Sequence, residues 1–240
     1  MKFSLCIPMY NESSIIAETA KTLSAFMDEH FDEYEIVFSD DGSTDGSADL
    51  VRALALSHIR VIGYSQNRGK GSAVREAMLA AEGDVVMFTD SDLAYGTDVI
   101  LEVARRMAEE DAPAVLVGSR NLSEDGYEGY TLIRKIMSKV YIKVLCLVGG
   151  FKLSDSQCGC KAFDQNASKE IFRRCKVNGF AFDFEAIMWS DQLGFRITEM
   201  PVKIINHRES KIHIVRDTVR MLRDLTKIRK SVKKAVKAEK

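Results

Sequence analysis

Three segments of the 240-residue chain concentrate side chains that can do chemistry. Asp40-Asp41-Gly42-Ser43-Thr44-Asp45-Gly46 clusters carboxylates that can accept hydrogen bonds from a base or a ribose, with glycines that permit close backbone approach. Asp90-Ser91-Asp92 sets two carboxylates one residue apart, a spacing that can hold a hard divalent cation together with diphosphate oxygens. Asn67-Arg68-Gly69-Lys70-Gly71 offers glycines, a cation and the free amides of a helix start, which suit a phosphate or another polar ligand. Each segment alone reads equally well as a solvated acidic turn, a helix cap or a loop. Neither a P-loop spacing nor a G-x-G-x-x-G after the first strand is present, which weakens nucleotide-hydrolase and dehydrogenase readings. Cys158-Gly159-Cys160 lacks a second cysteine pair, and the four histidines lack metal-ligand spacing, so zinc chemistry is not indicated.

The elements that must position these segments follow from hydrophobic periodicity. Strands are predicted at Phe3–Ile7, Tyr34–Ser39, Ile59–Tyr64, Val85–Thr89 and Ala114–Ser119. Helices are predicted between them: Ile15–Met27, one capped by Asp45 and running to Leu56, Gly71–Ala81 ended by Gly83, and Asp98–Glu110. Such alternation predicts an α/β fold with a doubly wound, mostly parallel sheet. Those sheets bind ligands at the carboxyl ends of their strands, where the segments after Ile7, Ser39 and Thr89 lie. The second half predicts helices at 130–148, Ala167–Arg174 and Phe182–Gln192, and a strand Arg196–Ile205 whose Pro201 favours a sheet edge. A long helix with an aliphatic stripe at Val215, Val219, Leu222, Leu225, Ile228, Val232 and Val236 follows. The organisation expected is one domain over residues 1–212 and a basic amphipathic helix over 213–240.

Composition narrows the function classes. The chain is 46% hydrophobic and 29% charged, which excludes wholesale disorder. No apolar run reaches the ~18 residues of a membrane-spanning helix, and the start reaches Pro8 too soon for a signal peptide. Five cysteines without a framework point to reduced thiols and a cytoplasmic setting. The net charge of -1 conceals ten Lys/Arg against three acidic residues in 216–240. An acidic body with a basic tail argues against a nucleic-acid partner and for an anionic membrane surface or an acidic partner.

In combination the motifs are far more specific. Pro8-Met9-Tyr10-Asn11-Glu12, then D-D-G-S-T-D-G, N-x-G-K-G and D-x-D, in that order, resemble the family 2 glycosyltransferases of the GT-A fold. Gly118-Ser119-Arg120, Arg134 with Ser138, Asp155-Ser156-Gln157-Cys158-Gly159-Cys160-Lys161 and Phe180-Ala181-Phe182-Asp183-Phe184-Glu185 extend the resemblance to the polyprenyl-phosphate sugar transferases. The D-x-Q-C-G-x-K element and Glu209-Ser210-Lys211 look most like the dolichyl-phosphate glucosyltransferases. Cys160 stands where an aromatic residue is usual, and Leu93-Ala94-Tyr95-Gly96 after D-x-D is atypical.

The resemblance implies that Pro8, Tyr10, Glu12, Asp41 and Lys70 hold the base and ribose of a nucleotide-sugar donor. It implies Asp90 and Asp92 as ligands of Mg2+ or Mn2+, and Arg208 and Lys211 as groups that close over the diphosphate. Arg120, Arg134 and Ser138 would grip an acceptor phosphate, and i, i+4 spacing puts the last two on one helix face. Asp155, with Asp183 second, is the candidate base if the acceptor is a hydroxyl. The expected activity is an inverting transfer of a hexose, glucose from UDP-glucose, to polyprenyl or dolichyl phosphate at the cytosolic membrane face. Transfer to a glycan hydroxyl, and a catalytically silent nucleotide-sugar binding protein, are the alternatives. Docking on an anionic membrane is expected of two stripes, one on the 130–148 helix beside Lys135, Lys139 and Lys143 and one on the C-terminal helix; the alternative is that both pack on the domain core or in a dimer.

Overall fold

The computed structural model describes residues 1–127, 132–206 and 214–239, with the side chains of residues 133, 134, 214–223 and 239 excepted. Its centre is a seven-stranded sheet of order β3-β2-β1-β4-β6-β5-β7. The strands are β1 (Phe3–Met9), β2 (Tyr34–Asp40), β3 (Ile59–Gly63), β4 (Val85–Phe88), β5 (Val115–Ser119), β6 (Lys161–Asp164) and β7 (Ile197–Pro201). All pair in parallel except β6, which runs antiparallel to both β4 and β5. Continuous apolar runs make β1, β2 and β4 buried on both faces, as a covered parallel sheet requires.

The helices are α1 (Ile16–His30), α2 (Ser47–Arg52), α3 (Lys70–Ala80), α4 (Asp98–Met107), α5 (Leu132–Gly149), α6 (Gln165–Arg174), α7 (Phe182–Gln192) and α8 (Ile214–Glu239). They cover two apolar layers. One face of the sheet packs on α1 and α4 through Leu23, Met27, Ile100 and Val103. The other packs on α3, α6, α7 and α8 through Val74, Met78, Ile171, Phe172 and Ile187.

Three sequence expectations are corrected, and one strand is added. Strand β6 is not legible in the sequence, because four residues between a cysteine-rich loop and a helix are too few to show a period. Helix α2 spans Ser47–Arg52 rather than reaching Leu56; Gly46 begins it in the left-handed region, while Asp45 still accepts from Ser47 N. Helix α3 ends at Ala81 in extended backbone, so Gly83 is not its cap. Strand β7 stops at Pro201, on the edge of the sheet, where the missing N–H breaks no ladder.

The aliphatic stripe of α8 is also reassigned. Leu225, Ile228 and Val232 are buried in the core, so the described part of that stripe closes the domain and does not face lipid. Val215, Val219 and Leu222 have side chains outside the described residues. Among the described residues no helix is long and apolar enough to cross a membrane.

Candidate active site

The carboxyl ends of β1, β2 and β4 bring the first motifs together. Tyr10 to Ser13 and Ser43 to Ser47 are knitted into one rim. Asn11 N donates to Ser43 Oγ, Thr44 N donates to Asn11 Oδ1, Glu12 N donates to Ser47 Oγ, and Ser13 N donates to Asp45 Oδ2. Despite some desolvation, the Ser47 hydroxyl and the Ser13 and Ser47 amides hold the Asp45 carboxyl well below the usual carboxylate range. Pro8 is buried at the end of β1, and Tyr10 is exposed on the rim.

Asp41 behaves differently from the expectation of a base contact. Its two oxygens accept from Tyr64 Oη at 2.6 Å, Asn67 Nδ2 at 2.8 Å, and the amides of Arg68 and Gly69 at 2.9–3.0 Å. The carboxylate therefore builds the turn that opens α3, filling the amides that sequence reasoning had left for a ligand. Gly42 makes this turn possible: a Cβ there would lie 2.5 Å from the Gln66 backbone. Asp40 accepts through Oδ1 from Ser43 N, and no hydrogen bond to its Oδ2 occurs among the described residues. It is the carboxylate of the D-D pair with acceptor capacity to spare.

Lys70, the first residue of α3, reaches across to β4 and donates to Asp90 Oδ1 at 2.5 Å. Burial alone depresses this ammonium's pKa, but the Asp90 carboxylate outweighs burial and the net shift is upward. Ser91 O accepts from Thr19 Oγ1, and Asp92 Oδ1 accepts from Ala94 N, so the D-x-D loop is tied to α1 and to its own turn. Gly159 passes so close to Asp90 that a Cβ there would sit 2.3 Å from Oδ2. Tyr95 Oη accepts from Gly159 N, and Ala94 O accepts from Ile205 N. The atypical Leu93–Gly96 segment is thus a strut between D-x-D, the cysteine loop and the chain leading to residue 207.

On the other side of the cleft, Asp155 is wholly buried and paired bidentately with Arg120: Nε to Oδ2 at 2.6 Å and Nη2 to Oδ1 at 3.0 Å. Gln157 N also donates to Oδ1. Arg120 stacks its guanidinium over Tyr127, whose hydroxyl is 3.3 Å from Ser138 Oγ on α5. Asp155, Arg120 and Ser138 are therefore brought into one chain of contacts. Arg134 lies one turn before Ser138 on α5, with its side chain outside the described residues. Arg208 and Lys211 also lie outside them. Asp183 pairs with the fully buried Lys161 at 2.6 Å, and Lys161 also donates to Cys158 O. Burial pushes the Asp183 carboxyl up against the opposing pull of Lys161.

Sequence reasoning missed Asp40, Tyr64, Tyr127, Lys161 and Glu199. Glu199 on β7 accepts from the amides of Ser154 and Asp155 and so holds the loop that carries Asp155. Asp40 and Lys161 stood inside motifs already noticed. Tyr127 and Glu199 carry no local signal, because their partners are brought to them by the sheet.

The residues present suit a hard cation. Two carboxylates at a strand end, completed by donor phosphate oxygens, are a usual donor set for Mg2+. Among the described residues no group of three or more His, Cys, Asp or Glu could hold a metal by itself.

Residues 4–172 match the family described as Glycosyl transferase family 2. The chain belongs to this family. Its curated relatives include a dolichyl-phosphate β-glucosyltransferase of Saccharomyces cerevisiae, 29% identical over 94% of this chain and 73% of that protein. Another, from Trichomonas vaginalis, is 30% identical over 94% and 72% of the two chains. Among solved structures, glucosyl-3-phosphoglycerate synthase of Mycobacterium tuberculosis, in complex with Mn2+, UDP and phosphoglyceric acid, superposes with a TM-score of 0.72 at 19% identity. That match covers 96% of this chain and 78% of the other, and it establishes the GT-A fold of this family 2 glycosyltransferase.

Proposed function

We propose that this family 2 enzyme transfers a hexose, glucose from UDP-glucose, to a polyprenyl phosphate with inversion at C1. The observation that carries the reading is the state of the acceptor-side carboxylates. Asp155 has both oxygens occupied by Arg120 and Gln157 N, and Asp183 is held by Lys161. A hydroxyl acceptor needs a free base. A phosphate monoester is already ionised at neutral pH, with a second pKa of about 6, and needs positioning instead. The relatives' names, dolichyl-phosphate β-glucosyltransferase, agree with a lipid phosphate.

Each residue then has a role. Pro8, Tyr10, Glu12 and Asp40 line the base and ribose pocket, with Asp41 shaping its floor from behind. Asp90 and Asp92 hold Mg2+ or Mn2+, which offsets the charge of the departing diphosphate. Lys70, which pairs with Asp90, would lie within reach of the donor phosphates if Asp90 held a cation. Arg208 and Lys211 close over the diphosphate. Arg134 and Ser138 orient the acceptor phosphate for in-line attack, and Asp155 keeps Arg120 and Tyr127 in place beside them. The reaction runs at the cytosolic face of a membrane that holds the acceptor.

One observation favours transfer to a hydroxyl: Asp183 accepts from Lys161 through a single oxygen, Oδ1, and has a second to offer. The two readings separate in one assay. With UDP-glucose and Mn2+, undecaprenyl phosphate is expected to be glucosylated and undecaprenol not. Transfer to undecaprenol or a glycan hydroxyl, abolished by Asp183→Asn, would overturn the phosphate reading.

A further inference from the structure

Two carboxylates one residue apart sit on side chains that rotate independently, so a cation held by both needs them fixed from outside the motif. Around Asp90 and Asp92 the structure closes a ring of contacts. Asp92 Oδ1 accepts from Ala94 N in a turn that Leu93 enters with a positive φ of 49°. The next residue, Tyr95, is buried with its ring in the apolar layer that α1 and α4 cover. Its Oη accepts from Gly159 N at 3.1 Å. Gly159 in turn backs Asp90, since a Cβ there would lie 2.3 Å from Oδ2 and 3.0 Å from Cγ. Lys70 already holds the other oxygen, Oδ1.

This ring accounts for both residue types. Gly159 has no positive φ, so its backbone makes no demand for glycine. The group that excludes a side chain there is the Asp90 carboxylate itself. Three hydrogen bonds pin the chain around it: Lys161 Nζ to Cys158 O, Gly118 N to Cys160 O, and Gly159 N to Tyr95. The first two come from β6 and β5, and the third comes from the D-x-D turn. The Tyr95 hydroxyl also shares a hydrogen bond with the Cys158 side chain and feels the charges of both Asp90 and Arg120. It stands where the loop that carries Asp155 meets the cation motif.

We infer that Tyr95 and Gly159 are positioning residues for the cation: Tyr95 holds the Gly159 peptide against Asp90, and the ring through Ala94 fixes Asp90 and Asp92 as one site. Their effect is exerted through the two carboxylates. The inference rests on the reading above that these carboxylates hold Mg2+ or Mn2+, and it gives the atypical segment after D-x-D a part in setting the affinity for that metal. Partners that orient metal ligands in this way change metal affinity by roughly ten- to a hundredfold when they are removed.

Calorimetric titration of UDP, with and without Mn2+, tests the assignment apart from turnover. Tyr95→Phe keeps the ring and removes the hydroxyl. It is expected to weaken Mn2+-dependent UDP binding about tenfold and to leave metal-free UDP affinity unchanged. Gly159→Ala puts a methyl where Asp90 Oδ2 stands, and the carboxylate, as the free end of a side chain, must swing aside. The loss of Mn2+-dependent affinity expected there is roughly a hundredfold, with the melting temperature near that of the wild type. Tyr34→Phe is the control. It takes a hydroxyl, bonded to Asp28 at 2.6 Å, from a buried ring at the amino end of β2, away from the site. It should lower the melting temperature and leave the Mn2+ dependence intact. A Tyr95→Phe protein with the wild-type ratio of UDP affinities with and without Mn2+ overturns the inference, and so does an equal loss of both affinities. If Gly159→Ala does not fold, Tyr95→Phe decides alone. Mn2+ without effect on UDP binding by the wild type would overturn the cation site and the inference together. Transfer to undecaprenyl phosphate is scored separately: its absence strikes the acceptor reading and leaves the binding result standing.

Discussion

The two sides of the cleft solve the problem of a buried carboxylate in opposite ways. On the donor side, Asp41 is answered by neutral donors: a tyrosine hydroxyl, an asparagine amide and two backbone amides. On the acceptor side, Asp155 and Asp183 are answered by cations, with side chains 11% and 0% exposed for Arg120 and Asp155, and 0% and 10% for Lys161 and Asp183. Where the donor side does use a cation, Lys70 on Asp90, both partners remain 28–29% exposed. Neutral donors stabilise an anion without cancelling its charge, so the donor side stays negative and attractive to a divalent cation. Buried ion pairs cancel charge and fix geometry, which leaves the acceptor side neutral apart from groups aimed at the substrate. On the function proposed above, the difference would separate a site that attracts a metal from one that orients an anion.

The strongest test removes a charge from the donor side. Asp92→Asn is expected to cut transfer by on the order of 10^3, in line with the several kcal/mol a metal ion contributes to transition-state charge. Mn2+-dependent UDP-sugar affinity should disappear while the melting temperature holds. Undiminished Mn2+ dependence would erase the contrast drawn between the two sides.

Breaking an acceptor-side pair should instead unfold the protein. Arg120→Ala leaves Asp155 buried without its cation, and a loss of about 3–5 kcal/mol in denaturant-measured stability is expected. Arg120→Met/Asp155→Leu, which removes both charges, should recover much of that stability but not activity. If Arg120→Ala is as stable as wild type, the pair is not the scaffold described.

A smaller effect is expected at Arg134. Arg134→Ala should lower transfer to lipid phosphate by roughly 10^2, the loss of one charge-assisted contact, with donor KM unchanged. A parallel rise in donor KM would move Arg134 across the cleft.

The smallest effect tests how dry the acceptor side is. Burial, with the Asp155 charge adding to it, pushes the Cys158 thiol up to about 11, and burial holds Cys160 well above its ordinary value. Both thiols titrate near 8.5 in an unfolded chain. The contribution of Cys158 is therefore complete below about pH 8.5 and is lost as the pH rises through about 11, and that of Cys160 is lost in the same direction. Denaturant titrations across that window should show falling stability, and maleimide at pH 8 should leave both thiols unmodified until the protein unfolds. Rapid native labelling would show the loop to be open.

Much of the donor side was legible because its determinants are local. D-D-G-S-T-D-G and D-x-D follow the buried strands β2 and β4, N-x-G-K-G follows the half-buried edge strand β3, and a parallel sheet delivers successive strand ends to one edge. Within the motif, however, the sequence did not say which aspartate faces the ligand. Asp41 turned inward because the Asn67–Gly69 amides lie behind it, a contact across 26 residues or more. Acceptor-side partners were less legible still. Glu199 reaches Ser154 and Asp155 across 44–45 positions through β7, and the antiparallel strand that sets this register was invisible to periodicity.

The sequence by itself determined the α/β order of elements, the family, the strand ends that carry the chemistry and the existence of two amphipathic basic helices. Periodicity and motif spacing are properties of neighbours along the chain, and they survive without knowledge of the fold. Only the tertiary structure decided what each amphipathic face meets. Leu225, Ile228 and Val232 of α8 are covered by the core, while Ile136, Val140 and Leu147 of α5 are exposed among the described residues. The two stripes look alike in sequence because hydrophobic patterning records that a face avoids water, whereas the partner that covers it is set by packing between distant segments.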